Sequence, residues 1–413
     1  MSYGPDKKSI LVMGCFDTKS EAFAYLRSCI LALGEEVITI NTGVLGTTED
    51  FPVDFESDQV AQEVGYRITD LREKRDRGHA MDVMGVGAAK IVGKLVNDGL
   101  VKGAIGMGGG GGTYIALSAM QEIPLGIPKL CLSTLATKDL TRQIGHKDIT
   151  LMPSVVDVAG LNSILKVLIK QAAGAIGAMA GSAALSGLSP RGNIAISMFG
   201  NTTPCVDQCT ELLKKRGYEV LAFHANGVGG KAMEALISEG CFEAVLDITT
   251  TELADHLCDG ICSAGPDRLT AASEKGIPQV IVPGCLDMVN FGHLDTVPQH
   301  YKNRKLYSWA PDVTLMRTNA VENEILGKEL AEKVNASGGP VSIILPKNGI
   351  SQVDQVGSIF YDPESDDALF ESIKKHAGEH VTVMECEMHI NDAAFADLLV
   401  NKLLELIINT HKS

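Results

Sequence analysis

The chain reads as an α/β protein of two lobes, each built on a parallel sheet, and three observations predict it. Short apolar runs alternate with amphipathic stretches along the chain, the order that βαβ units require. The 43 glycines are spread over 413 residues, as many tight strand-to-helix turns demand. The order of elements in the first half also recurs in the second. SILVMG and its polar turn, amphipathic helix and second strand match NIAISMFG and its successors. GAIGMGGGGGT then matches EAVLDITTTELAD, LGIPKLCLSTLA matches KGIPQVIVPGCLD, and KDITLMPSVVDVAGLN matches PDVTLMRTNAVENEIL. An internal duplication explains five matched elements, giving lobes over residues 1–185 and 186–413 with insertions near 45–90 and 288–310. Parallel sheets bind ligands beyond the carboxyl ends of their strands. A cleft between two facing lobe edges is therefore the expected site.

In the first lobe, the opening strand runs into Gly14–Lys19, GCFDTK. Asp17 and Thr18 suit a helix start; the functional alternative sets Lys19 against a phosphate and Asp17 on a ribose hydroxyl, a bound Mg²⁺ or a reacting group. Gly87–Leu95, GAAKIVGKL, fails the Walker pattern in spacing and in lacking Ser or Thr after Lys94, and reads as ordinary helix. The richest segment is a strand delivering Gly108, Gly109, Gly110, Gly111, Gly112 and Thr113 to a helix start. Without Cβ atoms, the peptide N–H groups there can form a nest for an anion, backed by the helix dipole. Ser133 and Thr134, with Thr137 and Lys138 beyond, follow the next strand and could complete a phosphate site. The Ala- and Gly-rich stretch Val156–Gly181 predicts a closely packed helix leading to a linker over Ser182–Gly192.

The second lobe repeats the cap position with Asn201, Thr202, Thr203 and Pro204, followed by Cys205, whose thiol a helix N-terminus would activate. His224, Gly229, Gly230 and Lys231 form a glycine-rich loop entering a helix, where a second anion site competes with a plain turn. Asp247–Glu252, DITTTE, packs Thr249, Thr250 and Thr251 between carboxylates at a strand end, a pattern suited to a polyol, a phosphate or Mg²⁺. Asp287, Asn290, His293 and Asp295 share one loop, and a histidine beside acids can serve as a general base. Catalytic candidates are thus Asp17, Cys205, Asp287 and His293. A strand at Val341–Pro346, a helix near Asp366–His376, the strand HVTVMECEM and a final helix complete the second sheet.

A net charge of −15 opposes nonspecific association with nucleic acid or an anionic membrane. The start lacks the apolar core of a signal peptide, and ten scattered cysteines form no disulfide framework, which together predict a cytoplasmic protein with reduced thiols. Cys205/Cys209 and Cys258/Cys262 have three intervening residues rather than the shorter knuckle of closed zinc sites, so no metal centre is expected.

GCFDTK, GMGGGGGT, GIPK, PSVVDVAG, MFGNTTPC, FHANGVGGKAME, LDITTTELAD, LDMVNFG and LMRTNAVEN together resemble the Tm-one-like ATP-binding domain family over residues 9–365. The resemblance implies two Rossmann-like lobes, ATP bound with its phosphates on the glycine run, and self-association as a dimer or higher homo-oligomer. It also suggests a separately encoded TIM-barrel partner, since a plant member carries such a domain in the same chain. The expected function is an ATP-dependent enzyme, with Mg²⁺ as a companion ion, acting on a small organic acid. A nucleotide-binding regulatory or scaffold module and an ATP-independent lyase or hydrolase are the alternatives.

Overall fold

A computed structural model describes residues 8–182 and 191–412; most of the expected linker, 183–190, lies outside the described residues. The chain forms two compact units that divide at residue 187.

In unit 1, β1 (Ser9–Gly14) leads to α1 (Phe16–Leu31) and β2 (Val37–Asn41). Three helices follow, α2 (Ser57–Gln62), α3 (Ile68–Lys74) and α4 (Arg77–Asn97), before β3 (Val101–Gly108) and α5 (Gly110–Met120). The unit closes with β4 (Lys129–Ser133), α6 (Thr141–Ile144), β5 (Ile149–Pro153) and α7 (Ser163–Ser182). All five strands are parallel, in the order β2-β1-β3-β4-β5.

The sheet is buried on both faces. Leu11 and Met13 of β1 join the α4 and α5 side chains in one core, while Ile10 and Val12 meet α1 and α7 in the other. This two-sided burial is why the strands read as continuous apolar runs. The insertion places α2 tightly on α4: a Cβ on Gly87 would stand 2.1 Å from the Val60 carbonyl oxygen. The last helix starts later than its composition predicts. Gly160 takes φ +74°, and Asn162 Oδ1 accepts from Leu165 N at 2.9 Å, so 154–162 is a loop at the carboxyl edge and α7 begins at Ser163. This helix is long and apolar enough to cross a membrane, yet its Leu165, Ile169 and Ala173 pack into the core with α1.

Unit 2 runs β6 (Asn193–Met198), α8 (Thr203–Lys215), β7 (Glu219–His224), α9 (Val228–Ser238), β8 (Ala244–Thr249), α10 (Thr251–Leu257) and α11 (Ala271–Lys275). Next come β9 (Gln279–Gly284), β10 (Met288–Phe291), β11 (Leu306–Ala310), β12 (Val313–Arg317) and α12 (Ala320–Asn335). The unit ends with β13 (Val341–Pro346), α13 (Pro363–His376), β14 (Val381–Cys386) and α14 (Ala393–Lys412). Its parallel sheet has the order β7-β6-β8-β9-β13-β14. The C-terminal strands complete it, as the sequence predicts.

Both sheets share the order second-first-third-fourth. The fifth sequence match does not carry through: KDITLMP supplies β5 of the first sheet, whereas PDVTLMR supplies β12 of a separate antiparallel sheet, β10-β12-β11. The residues 288–310 had read as an insertion, but they pair with β12 and draw it out of the parallel sheet. The topology thus supports two related α/β plans without establishing a duplication of whole lobes.

Candidate functional site

Strand order in unit 1 reverses between β1 and β3, which places the turns after Gly14 and Gly108 side by side. Such a switch point opens a crevice at the carboxyl edge of a sheet. A cavity of about 940 Å³ lies there, lined by unit 1 alone. Its size is that of a small-molecule or cofactor pocket.

Gly109, Gly110, Gly111 and Gly112 line this cavity, but they form a helix start rather than the expected nest. None of Gly108–Gly112 takes positive φ. Gly109 is the extended N-cap with no side-chain cap, and Gly110–Gly112 are the first turn of α5. Thr113 N donates to Gly109 O at 2.9 Å, so the N–H groups of the three preceding residues are the ones without an intrahelical acceptor. Glycine is required by close approach: a Cβ on Gly108 would stand 3.0 Å from Gly112 Cα, and one on Gly111 would stand 2.9 Å from Met81 Sδ.

Thr113 and Ser133 were expected on the ligand, yet both are buried behind the loop, their hydroxyls 2.6 Å apart. Ser133 Oγ also accepts from Leu135 N at 2.9 Å. Thr134 donates its N–H to Gly108 O at 3.2 Å. These three residues hold the glycine turn in place and do not line the cavity.

Asp17, Thr18 and Lys19 do line it. Lys19 Nζ donates to Val158 O at 2.7 Å, tying the loop after β5 to the site. In that loop Val155 takes φ 61°, a strained conformation for a β-branched residue. Asp17 Oδ2 accepts from Leu45 N at 2.8 Å, while its Oδ1 is buried without a partner. Gly43 makes room for this carboxylate, since a Cβ there would approach Oδ1 to 2.3 Å. Neighbouring Cys15 has its thiol pKa raised, chiefly by burial.

Three residues that sequence reasoning missed complete the wall. Arg72, Arg75 and Arg77 come from the insertion, at the end of α3 and the start of α4. The signal was the basic run LREKRDR, Leu71–Arg77, inside what read as a structural insertion. With Lys19 they set four cations against the carboxylates of Asp17, Asp76 and Asp157, in a chain of net charge −15. Apolar wall is supplied by Leu71, Met81, Met84 and Ile115. The cavity thus joins a cationic end to an apolar surface.

The unit 2 candidates divide differently. The DITTTE side chains are consumed inside the protein. Thr249, Thr250, Thr251 and Glu252 are all fully buried. Thr202 and Thr249 share a hydroxyl contact at 2.7 Å, Thr250 Oγ1 donates to Val282 O at 3.3 Å, and Thr251 Oγ1 donates to Met288 O at 3.4 Å. Arg268, also fully buried, explains the carboxylates: it donates to Asp247 at 2.6 and 2.7 Å, to Glu252 at 2.6 Å and to Glu234 at 3.0 Å. Glu252 Oε1 additionally accepts from Gly227 N at 2.7 Å and Gly230 N at 3.1 Å. The FHANGVGGK loop therefore wraps an internal carboxylate instead of an external anion. A Cβ on Gly229 would meet His224 O at 2.0 Å, and one on Gly230 would meet Glu252 at 2.1 Å. Lys231 is exposed, and exposed His224 stacks on Phe199.

The expected nucleophile and base do not assemble. Cys205 is buried, and contact with the Cys209 thiol together with burial pushes its pKa well above the ordinary value, the opposite of activation. Exposed His293 has Nδ1 2.9 Å from Pro311 O. Asp287 is sealed in the interior with Oδ2 accepting from Ser351 Oγ at 2.7 Å. Asn290 Nδ2 donates to Asp255 at 2.7 Å. Asn201 is buried, and Thr203 Oγ1 donates to Phe199 O at 3.2 Å. Among the described residues no three His, Cys, Asp or Glu side chains converge as a metal site.

Comparison with known families decides the chain's membership. The model described as "Uncharacterised protein family (UPF0261) N-terminal domain" matches residues 8–184, and its C-terminal counterpart matches 191–407. The chain belongs to the UPF0261 family. A UPF0261 protein of Clostridium tetani is 44% identical over 403 residues, covering 97% of this chain and 99% of that protein. One from Rhizobium meliloti is 40% identical, covering 95% and 98%. The tomato ToMV resistance protein Tm-1(GCR237) is 40% identical over 80% of this chain, a match spanning 45% of the tomato protein, in keeping with the resemblance read from the motifs. A solved UDP-N-acetylglucosamine 2-epimerase from Rickettsia bellii, at a TM-score of 0.21 and 9% identity over 98% of this chain and 96% of that one, shares too little geometry to inform the UPF0261 site.

Proposed function

We propose that unit 1 is a nucleotide-binding module with ATP as its first candidate ligand. The observation that carries this reading is the cavity at the β1/β3 switch point, where an uncapped helix start, Lys19 and three arginines face an apolar wall. Helix N-termini stabilise phosphate through their free N–H groups and dipole. Met81, Met84, Leu71 and Ile115 offer apolar surface to a base, and the unpartnered Asp17 Oδ1 suits a ribose hydroxyl or a phosphate-bound Mg²⁺. The dispersal of Cys205, His293 and Asp287 favours binding over a covalent or acid–base reaction in unit 2.

Equilibrium binding of a fluorescent ATP analogue tests the proposal against Gly110→Val. A Cβ at Gly110 comes no closer than 4.0 Å to Leu135 Cδ1, so the fold has room for the substitution while the side chain crowds the phosphate seat. Saturable binding lost in the variant is the expected result. Equal binding by both proteins, or none by the unsubstituted protein at millimolar ATP, overturns it.

A further inference from the structure

We propose that Arg72, Arg75 and Arg77 make the unit 1 cavity select its ligand by phosphate number, favouring di- and triphosphates over monophosphates; the inference rests on the nucleotide reading above. The α5 helix start and Lys19 already suffice for one phosphate. Three further guanidinium groups on the same wall, beside the carboxylates of Asp17, Asp76 and Asp157, can engage more phosphate oxygens than one phosphate offers, because each pairs naturally with a phosphate oxygen pair.

Their placement sets exposed cations at a helix stop and a helix start that both border the cavity. Arg75 ends α3 in the left-handed region, at φ 51°, a helix-stop position that glycine or asparagine usually fills. Arg77 is the first residue of α4, where the helix dipole disfavours a cation, next to the N-cap Asp76, whose Oδ1 accepts from His79 N at 3.0 Å. Arg72 is held by its Nε–H donating to the Val44 carbonyl, which fixes the guanidinium at the rim. Arg77 reaches the glycine turn itself, with Nη2 3.7 Å from where a Cβ on Gly111 would sit. Among the described residues none of the three arginines is in a salt bridge with a carboxylate.

The test measures affinities of the full chain for ATP, ADP and AMP and for inorganic triphosphate, pyrophosphate and phosphate, at two salt concentrations, using the unsubstituted protein, Arg75→Gln, Arg77→Gln and their double variant. Circular dichroism and melting confirm that each variant is folded. The expected result is at least a tenfold weakening from ATP to AMP in the unsubstituted protein. In the double variant ATP should weaken at least tenfold while AMP changes less than twofold, with a shallower dependence of ATP affinity on salt. Equal loss for ATP and AMP, or no loss for either, overturns the proposal even if nucleotide binds. Arginine-dependent preference for inorganic triphosphate without affinity for ATP sustains phosphate counting and defeats the nucleotide reading. Binding of no probe at all defeats both.

Discussion

Unit 2 should lose stability as pH rises through neutrality, because it buries three carboxyl groups around one guanidinium. Arg317 Nη2 donates to Asp366 Oδ1 at 2.6 Å and lies 3.9 Å from Asp354 Oδ1. Asp287 adds a third acidic group, hydrogen-bonded by Ser351 Oγ. Burial and mutual repulsion, only partly offset by Arg317, push Asp287 up to about 7 and Asp366 up to about 8, and Asp354 is raised as well. His389, from the segment after β14, acts on Asp354 in the opposite sense, and the nearby Cys285 thiol is raised well above its ordinary value and stays neutral. These folded-state values lie above those of unfolded aspartate, near 4. The folded unit therefore binds more protons than the unfolded chain between about pH 5 and 7, and linkage makes stability fall with rising pH by about 1.4 kcal/mol per pH unit for each extra proton. One such proton held across that window is worth about 3 kcal/mol.

The lone tryptophan of the chain, Trp309, lies on β11, so its fluorescence follows urea unfolding of unit 2. Asp366→Asn keeps an acceptor for Arg317 and cannot titrate. It should remove about 1.4 kcal/mol per pH unit from the pH dependence between about pH 5 and 7. Asp255, also raised to about 7, leaves a residual slope in the variant. An unchanged slope, or stability that rises from pH 6 to 8 in the unsubstituted protein, refutes the reasoning.

Arg268→Leu strips the buried carboxylates of Asp247, Glu252 and Glu234 of their common partner and should cost about 3–5 kcal/mol, read as an earlier Trp309 unfolding midpoint. Cys205 should resist alkylation by iodoacetamide in the native protein and react after unfolding, as peptide mass spectrometry would show; prompt native labelling would contradict its burial. Gly43→Ala forces a Cβ to within 2.3 Å of the Asp17 carboxylate. It should weaken ATP binding severalfold at a stability cost of about 1–3 kcal/mol, while unchanged affinity would remove Asp17 from the site.

The strands and the turns that end them were legible because apolar runs and glycines record local requirements. Sheet membership was not, since β12 repeats the β5 pattern and is captured by β10 and β11 through nonlocal pairing. The glycine run pointed to a turn that lines the unit 1 cavity, but composition could not tell a nest from a helix start, a distinction that rests on the sign of φ. The same limit applies to DITTTE: hydroxyls and acids read as a ligand site until Arg268, sixteen residues beyond Glu252, is seen among them. Conversely, Arg72, Arg75 and Arg77 lay inside what read as an insertion, and only the packing of α3 and α4 onto unit 1 brings them to the cavity that the glycine turn lines.

Hydrogen–deuterium exchange of the full chain with and without saturating ATP and Mg²⁺ tests the central claim most directly, because it reports where a ligand stabilises the backbone. The account predicts slowed exchange in segments 14–19, 71–77 and 108–113 of the unsubstituted protein and no such slowing in Gly110→Val. Protection confined to unit 2, or none at an ATP concentration that saturates an independent binding assay, would contradict it.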